Sequence, residues 1–186
     1  PNDVQARGIA GTLFVHKVAG ALAEQGKTLE EVTNFAKMAA SSVYSLGLSL
    51  MTCSIPGIDH QERIEPGMAE LGLGIHGEPG IKREKLRPAD ELVDDLYKRI
   101  IQDSKLTAND NIAVMINSLG ATPLEELYII YKRVNENLSN SKIKNIKTYV
   151  GRYATSMEMA GMSVTVLKLN KNIKENLLAP SYCPFW

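Results

Sequence analysis

Cysteine is scarce: Cys53 and Cys183 are the whole complement in 186 residues. Two cannot form the disulfide framework of a small secreted domain, so a reducing compartment, the cytoplasm, is expected. An excess of one charge is also lacking. Lys plus Arg and Asp plus Glu both count 21, which leaves no basic surplus to hold nucleic acid or an anionic membrane directly. No apolar run approaches the roughly 20 residues that span a bilayer, and no signal peptide is visible. Histidine occurs only as His16, His60 and His76. No spacing among these makes a metal motif, so no metal site is expected. A G-x-S-x-G nucleophile elbow and a convincing Cys/His pair are missing too.

What is present is ordinary for a globular protein, with 44% hydrophobic and 23% charged residues. The length suits one domain with a substantial core, spanning residues 1–186 with 170–186 as a tail. The chain has no initiator Met and enters a helical pattern almost at once, so it is expected to be a piece of a longer protein.

Residues 3–25 read as a helix whose small and apolar residues spread widely around its axis, and which is therefore mostly buried. Thr28 and Glu31 form a capping box. The helix it opens is expected to reach about Leu46, with Val32, Phe35, Ala36, Ala39 and Val43 on one face and Gly47 as its stop. Strands are expected over 48–55 and 68–76, and residues 81–87 form a charged connector. Pro88 to Asp90 open a third helix, to about Gln102. Residues 111–117 are a short apolar run between turn signals, a buried strand. Gly120 to Pro123 make a tight strand-to-helix turn. Thr122 is its N-cap, Pro123 takes the first helical position, and Glu125 completes a second capping box. That helix reaches about Leu138. Strands over 143–153 and 162–169 follow, with a short helix or turn at 155–160 between them and one helical turn after Lys171. Alternating helix and strand after residue 88 predicts an α/β domain: a mixed sheet of about five or six strands covered by helices in two layers.

Two glycine patterns imitate nucleotide sites. Residues 21–28 fit a loose phosphate-loop pattern, but that chemistry needs a loop after a strand, and here the first residues lie on a helix. Gly72, Gly74 and Gly77 satisfy G-x-G-x-x-G, which works only where a helix begins at once; none is expected before Pro88. No cofactor site is therefore expected in this chain. His76 stands apart. It ends an apolar run and is flanked by glycines that let a ligand approach the backbone closely, with Glu78 near enough to orient the ring. A purely structural glycine turn accounts for the same pattern. The Thr122 turn could hold an anion on free N–H groups, or simply cap its helix.

Five segments carry a family resemblance. They are Gly8-Ile9-Ala10-Gly11-Thr12 with His16-Lys17; Glu70-Leu71-Gly72-Leu73-Gly74-Ile75-His76-Gly77-Glu78-Pro79-Gly80; Pro88-Ala89-Asp90-Glu91-Leu92; Leu119-Gly120-Ala121-Thr122-Pro123-Leu124-Glu125-Glu126-Leu127-Tyr128; and Thr155-Ser156-Met157-Glu158-Met159-Ala160-Gly161. In order, over about residues 6–169, the chain resembles the substrate-binding part of dihydroxyacetone (glycerone) kinases, which serve glycerol metabolism. The resemblance implies the second, C-terminal domain of a two-domain subunit. It implies that His76 is both catalytic and substrate-binding, bonding covalently to the carbonyl carbon of dihydroxyacetone as a hemiaminal before phosphorylation to dihydroxyacetone phosphate. It places a second histidine and an aspartate of the site on a first domain that has no match here, so this piece alone should be inactive. It puts ATP, or a tightly held ADP rephosphorylated by a phosphotransferase relay, with Mg on a separate nucleotide-carrying subunit or domain. It also implies a homodimer.

The family includes coactivators that sense dihydroxyacetone through the same histidine without catalysis, and His76 does not separate these from kinases. A third reading is a non-catalytic dimerisation domain, suggested by the glycine-rich, apolar first helix.

Overall fold

Alternating side chains on the central strands set the architecture. In the computed structural model, residues 10–57, 59, 62–73 and 79–183 are described. They form, in chain order, α1 (Gly11–Glu24), α2 (Leu29–Ser41), β1 (Val43–Ser49), β2 (Met68–Leu71), β3 (Lys82–Lys85), α3 (Ala89–Ser104), β4 (Asn111–Ser118), α4 (Leu124–Asn140), β5 (Lys144–Gly151), β6 (Gly161–Lys168) and α5 (Lys171–Leu178). The six strands make one sheet in the order β3-β2-β1-β6-β4-β5. β4 and β5 are parallel and joined through α4, while the other neighbours are antiparallel. The expected mixed α/β sheet is therefore present.

The sheet is covered on both faces, which makes three layers rather than the two expected. On β4, Ile112, Val114 and Ile116 join Leu46, Leu48, Val164 and Val166 in a core with Leu92, Leu96 and Ile100 of α3 and Leu127, Val134 and Leu138 of α4. The intervening Ala113 and Met115, with Leu167, point the other way, into a core with Phe14, Val18 and Leu22 of α1 and Ile173 and Leu177 of α5. Because strand side chains alternate between faces, the near-continuous apolar run of β4 signalled burial on both sides. A sequence count of layers missed this because α1 and α5 come from opposite ends of the chain.

Several boundaries differ from expectation, each for a physical reason. The second helix stops at Ser41 rather than Leu46, and β1 starts at Val43, so the strand expected over 48–55 comes earlier. Val43 fits both a helical stripe and a strand, and pairing decides: every residue of β1 is matched to β6, from Val43↔Leu167 to Ser49↔Gly161. Gly47 is then a strand residue, not a helix stop. The charged connector is the edge strand β3, paired to β2 from Met68↔Lys85 to Leu71↔Lys82. Its Lys-Arg-Glu-Lys sequence resembles a solvated loop because charge is what keeps an exposed sheet edge from pairing with other chains. Helix α1 is not mostly buried: Gly11, Phe14, Val18 and Leu22 form one inward stripe, and His16 lies on the exposed side. The expected start of that helix, at residues 3–9, lies outside the described residues. After Lys171 the chain makes not one turn but the eight-residue α5, capped by Asn170 accepting from the Ile173 N–H at 2.8 Å. Thr28 makes its capping box as expected, which disposes of the phosphate-loop pattern. No helix among the described residues is long and apolar enough to cross a membrane.

Helices α3 and α4 are also tied by charge. Arg133 grips Asp94 with two N–H donors at 2.8 and 2.7 Å, and the Asn137 amide adds a third at 2.7 Å. These donors, the Arg133 guanidinium first, hold the Asp94 carboxyl down at about 2, against an ordinary 3.8. A depressed carboxyl stabilises the fold above its unfolded value and loses that contribution as pH falls through the folded one. The stability gap between wild type and Asp94→Asn should therefore shrink as pH drops from 3.8 to about 2, followed by urea melts. Ile116, fully buried on β4, should cost about 2–5 kcal/mol as Ile116→Ala in the same melts.

Candidate functional site

The carboxyl end of β4 carries a turn that is fully wired. Ser118 Oγ donates to the Thr122 carbonyl at 2.8 Å and accepts from the Gly120 N–H at 3.2 Å. Thr122 is not the N-cap of α4. Its hydroxyl donates to the Gly161 carbonyl at 2.7 Å and accepts from the Gly161 N–H at 2.8 Å, locking the turn onto the start of β6. Pro123 takes the N-cap position and no side chain caps the helix, so the second capping box is absent. A threonine followed by proline looks like a cap in sequence; the long-range partner that claims its hydroxyl does not show there.

The segment after β5 folds onto this turn. Asn117, buried at the end of β4, accepts from the N–H groups of Tyr153 and Ala154, both at 2.8 Å, and donates to the Ala154 carbonyl at 2.8 Å. The Ser156 N–H reaches the Leu119 carbonyl at 2.6 Å, and the Ala121 N–H reaches that of Met159 at 2.9 Å. Residues 155–160 are an irregular turn, not a short helix. Glu158 sits there at φ 56, a left-handed conformation that a non-glycine residue adopts at a cost. Leu119, Met159, Ile64 and Leu73 then form a small apolar cluster of their own, with Cys53 and Met68 against it.

Leu73 brings the third segment into the same place. Gly72 turns out of β2 with φ +78, donating its N–H to the Gly47 carbonyl at 2.7 Å. At the other end of the loop, the Ile81 N–H returns to the Leu71 carbonyl at 2.7 Å, and Gly80 donates to Glu70 Oε1 at 2.6 Å. Glu70 is buried, and its second oxygen accepts from Arg83 Nε at 2.8 Å. Gly80 has no alternative residue, since a Cβ there would lie 2.5 Å from the Leu71 carbonyl oxygen and 2.6 Å from Glu70 Cγ. Strand β3 follows directly, where a dinucleotide site would need a helix.

Three of the segments singled out in the sequence, around 70–80, 119–128 and 155–161, thus converge at one region of the sheet. His76, the expected catalytic and substrate-binding residue, lies outside the described residues, as does His60. His16 is on the exposed side of α1 and takes no part in this cluster. Among the described residues, no group of three or more His, Cys, Asp and Glu side chains is placed to hold a metal ion. Two organising residues escaped the sequence reading, Glu70 and Asn117. The available signal was a polar residue interrupting or ending an otherwise apolar strand.

The Dak1 domain family matches residues 1–185. This chain belongs to that family. Among its Dak1 relatives, the dihydroxyacetone-binding subunit DhaK of a PTS-dependent dihydroxyacetone kinase from Listeria innocua is 47% identical over 164 residues, covering 88% of this chain and 50% of the relative. A putative 3,4-dihydroxy-2-butanone kinase of Solanum lycopersicum is 42% identical, covering 97% of this chain and 31% of the relative. Among solved structures, the dihydroxyacetone kinase of C. freundii superposes with a TM-score of 0.83 at 36% identity, over 97% of this chain and 33% of that one. The dihydroxyacetone kinase operon co-activator Dha-DhaQ superposes at 0.87 with 28% identity, over 92% and 54%. The chain spans about half the length, or less, of these relatives.

The Asn117 wiring is testable directly. Asn117→Ala removes hydrogen bonds to two N–H groups and a carbonyl, each with a net contribution of about 0.5–1.5 kcal/mol. Amide exchange at Tyr153 and Ala154 should accelerate well before the sheet opens.

Proposed function

We propose that this chain is the second domain of the substrate-binding part of a dihydroxyacetone kinase, and that His76 anchors the substrate covalently. The observation that carries the reading is the loop base: both ends of the segment bearing His76 are held by short hydrogen bonds at the junction of the family's other sequence blocks. Names of the relatives support the substrate class. Dihydroxyacetone and 3,4-dihydroxy-2-butanone are both α-hydroxyketones.

The chemistry follows from that class. A neutral imidazole nitrogen adds to the electrophilic ketone carbon. The N–C bond forms, the carbonyl π pair moves onto oxygen, and the proton lost by the imidazole is balanced by the one the oxygen gains. The hemiaminal holds the terminal hydroxyl in place for phosphoryl transfer, which is mainly a matter of positioning. Glycerol offers the hydroxyls but no carbonyl and is excluded. The remaining site groups come from a first domain outside this chain, and the nucleotide with its Mg from a separate subunit or domain. Alone, the chain is inactive. The intact protein is read as a cytoplasmic homodimer.

The similarity to the Dha-DhaQ co-activator supports a second reading, a sensor that binds the same ligand without catalysis. Mixing the intact protein with a nucleotide-carrying subunit and its phosphate source separates the two: enzyme-like formation of dihydroxyacetone phosphate counts against a pure sensor. In the same assay, His76→Ala should lower dihydroxyacetone turnover by at least about a hundredfold, the scale of a lost positioning effect. Unchanged binding and turnover would refute the anchor.

A further inference from the structure

We propose that the corner where α4 meets the free edge of β5 is covered, in the intact protein, by the part of the protein that lies outside residues 1–186. The inference is independent of the chemistry of His76. Three side chains mark the corner: Met157 is 58% exposed, Tyr128 53% and Leu124 48%. Exposed apolar residues scattered singly need no explanation, but these are neighbours. Leu124 and Tyr128 stand four residues apart on α4 and share one side of it. That side faces the end of β5: burial, and then the nearby Tyr128, push the Tyr153 phenol up. Arg152, next to Tyr153 in the chain, donates to the Gly120 carbonyl in the turn that leads into α4. The Ser156 carbonyl lies against Gly120 where a Cβ would stand, which brings Met157 to the same turn. Slack backbone does not explain the exposure of Met157. Its carbonyl accepts from the Ser54 N–H at 2.9 Å, and the preceding Ser156 N–H is held by the Leu119 carbonyl at 2.6 Å.

Two further features set this corner apart. Strand β5 is bonded to β4 on one side, and among the described residues no strand pairs with its other edge. The opposite edge of the sheet, β3, is four residues long and charged. β5 has eight residues and ends in the uncharged run Thr148-Tyr149-Val150-Gly151, an edge that invites another chain unless something covers it. Arg152 is the second feature. Arg83, Arg87, Arg99 and Arg133 each face a carboxylate, whereas Arg152, among the described residues, meets only the Gly120 carbonyl. Aromatic, Met and Arg side chains are the ones enriched at the centres of interfaces. Length and place identify the occupant. The Listeria innocua relative uses 50% of its own length to match 88% of this chain, so a part about as long as the match lies beyond it. A tethered part of that size is present at high effective concentration, and domain interfaces within a chain bury about 600–1,500 Å². The corner adjoins the turns at 118–122 and 153–160, so a domain seated on it reaches the candidate site. A second copy fits worse: antiparallel pairing of β5 with itself brings the Lys144, Lys147 and Arg152 of the two copies together, and like charges opposite one another repel.

Hydroxyl-radical footprinting of the intact protein, with no other protein present, reads the coverage of each side chain without any substitution. The rates at Met157 and Tyr128 are compared with those of the same residues in the urea-unfolded protein. Both are expected to react at least about tenfold more slowly in the folded protein, as desolvated residues at an interface centre do, and dilution should not change this. An open corner would slow them only about twofold, the inverse of their fractional exposure, and slowing short of tenfold overturns the proposal. Protection that disappears on dilution means that a second copy covers the corner, which also overturns it. Two variants check that the cover sits on these side chains. Tyr128→Asp is expected to speed oxidation of Met157 several-fold, while Leu178→Asp, exposed on α5, leaves it unchanged. Equal acceleration by Leu178→Asp, or none by Tyr128→Asp, would overturn the assignment.

Discussion

Strand β4 is paired on both edges and buried on both faces, and the turns of the candidate site hang from its carboxyl end. Its apolar residues divide between two cores, Ile112, Val114 and Ile116 on one side and Ala113 and Met115 on the other. Such a strand has little freedom to shift, because a slip of one residue would exchange the two faces. The polar residues that follow, Asn117 and Ser118, inherit that rigidity. They spend their hydrogen bonds on loop backbone from 120–122 and 153–154, so loops without regular structure are placed as firmly as the sheet.

The hairpin of β2 and β3 uses the same economy at the sheet edge. Four paired residues suffice because the loop between the strands is closed at its base by backbone bonds, a buried carboxylate and Leu73. Dak1 relatives are about twice as long as this chain or longer. On the proposed reading, the chain supplies a held nucleophile, while the groups that grip the substrate hydroxyls and the phosphoryl donor arrive from elsewhere.

Much of this was legible in the residues. The period of α3, the buried run of β4 and the Thr28 capping box all come from local pattern, and these features are present in the structure. The strand expected over 68–76 is shorter, since β2 ends at Leu71 and Gly72 turns out of it. The family was legible for a different reason: its sequence blocks are long and specific. What failed was whatever depended on a distant partner. Val43 to Leu46 look like a continuation of the helix in sequence because their strand mate, β6, lies more than a hundred residues away. Thr122 looks like a cap in sequence because Gly161, its actual partner, is 39 residues away. Lys82 to Lys85 look like part of a charged connector because an edge strand protects itself with the same charges. Glu70 went unnoticed since nothing next to it explains a buried carboxylate; its partners are Gly80 and Arg83.

On the proposed reading, the substrate is held by a covalent bond between one imidazole and a ketone carbon. Nuclear magnetic resonance on the intact protein, with 15N-labelled histidine and dihydroxyacetone carrying 13C at the ketone carbon, observes that bond directly. The bound carbon is expected to leave the ketone region for that of a tetrahedral centre and to show a one-bond coupling to nitrogen, lost in His76→Ala. A bound ligand that keeps its ketone signal, or a tetrahedral carbon without nitrogen coupling, would contradict it.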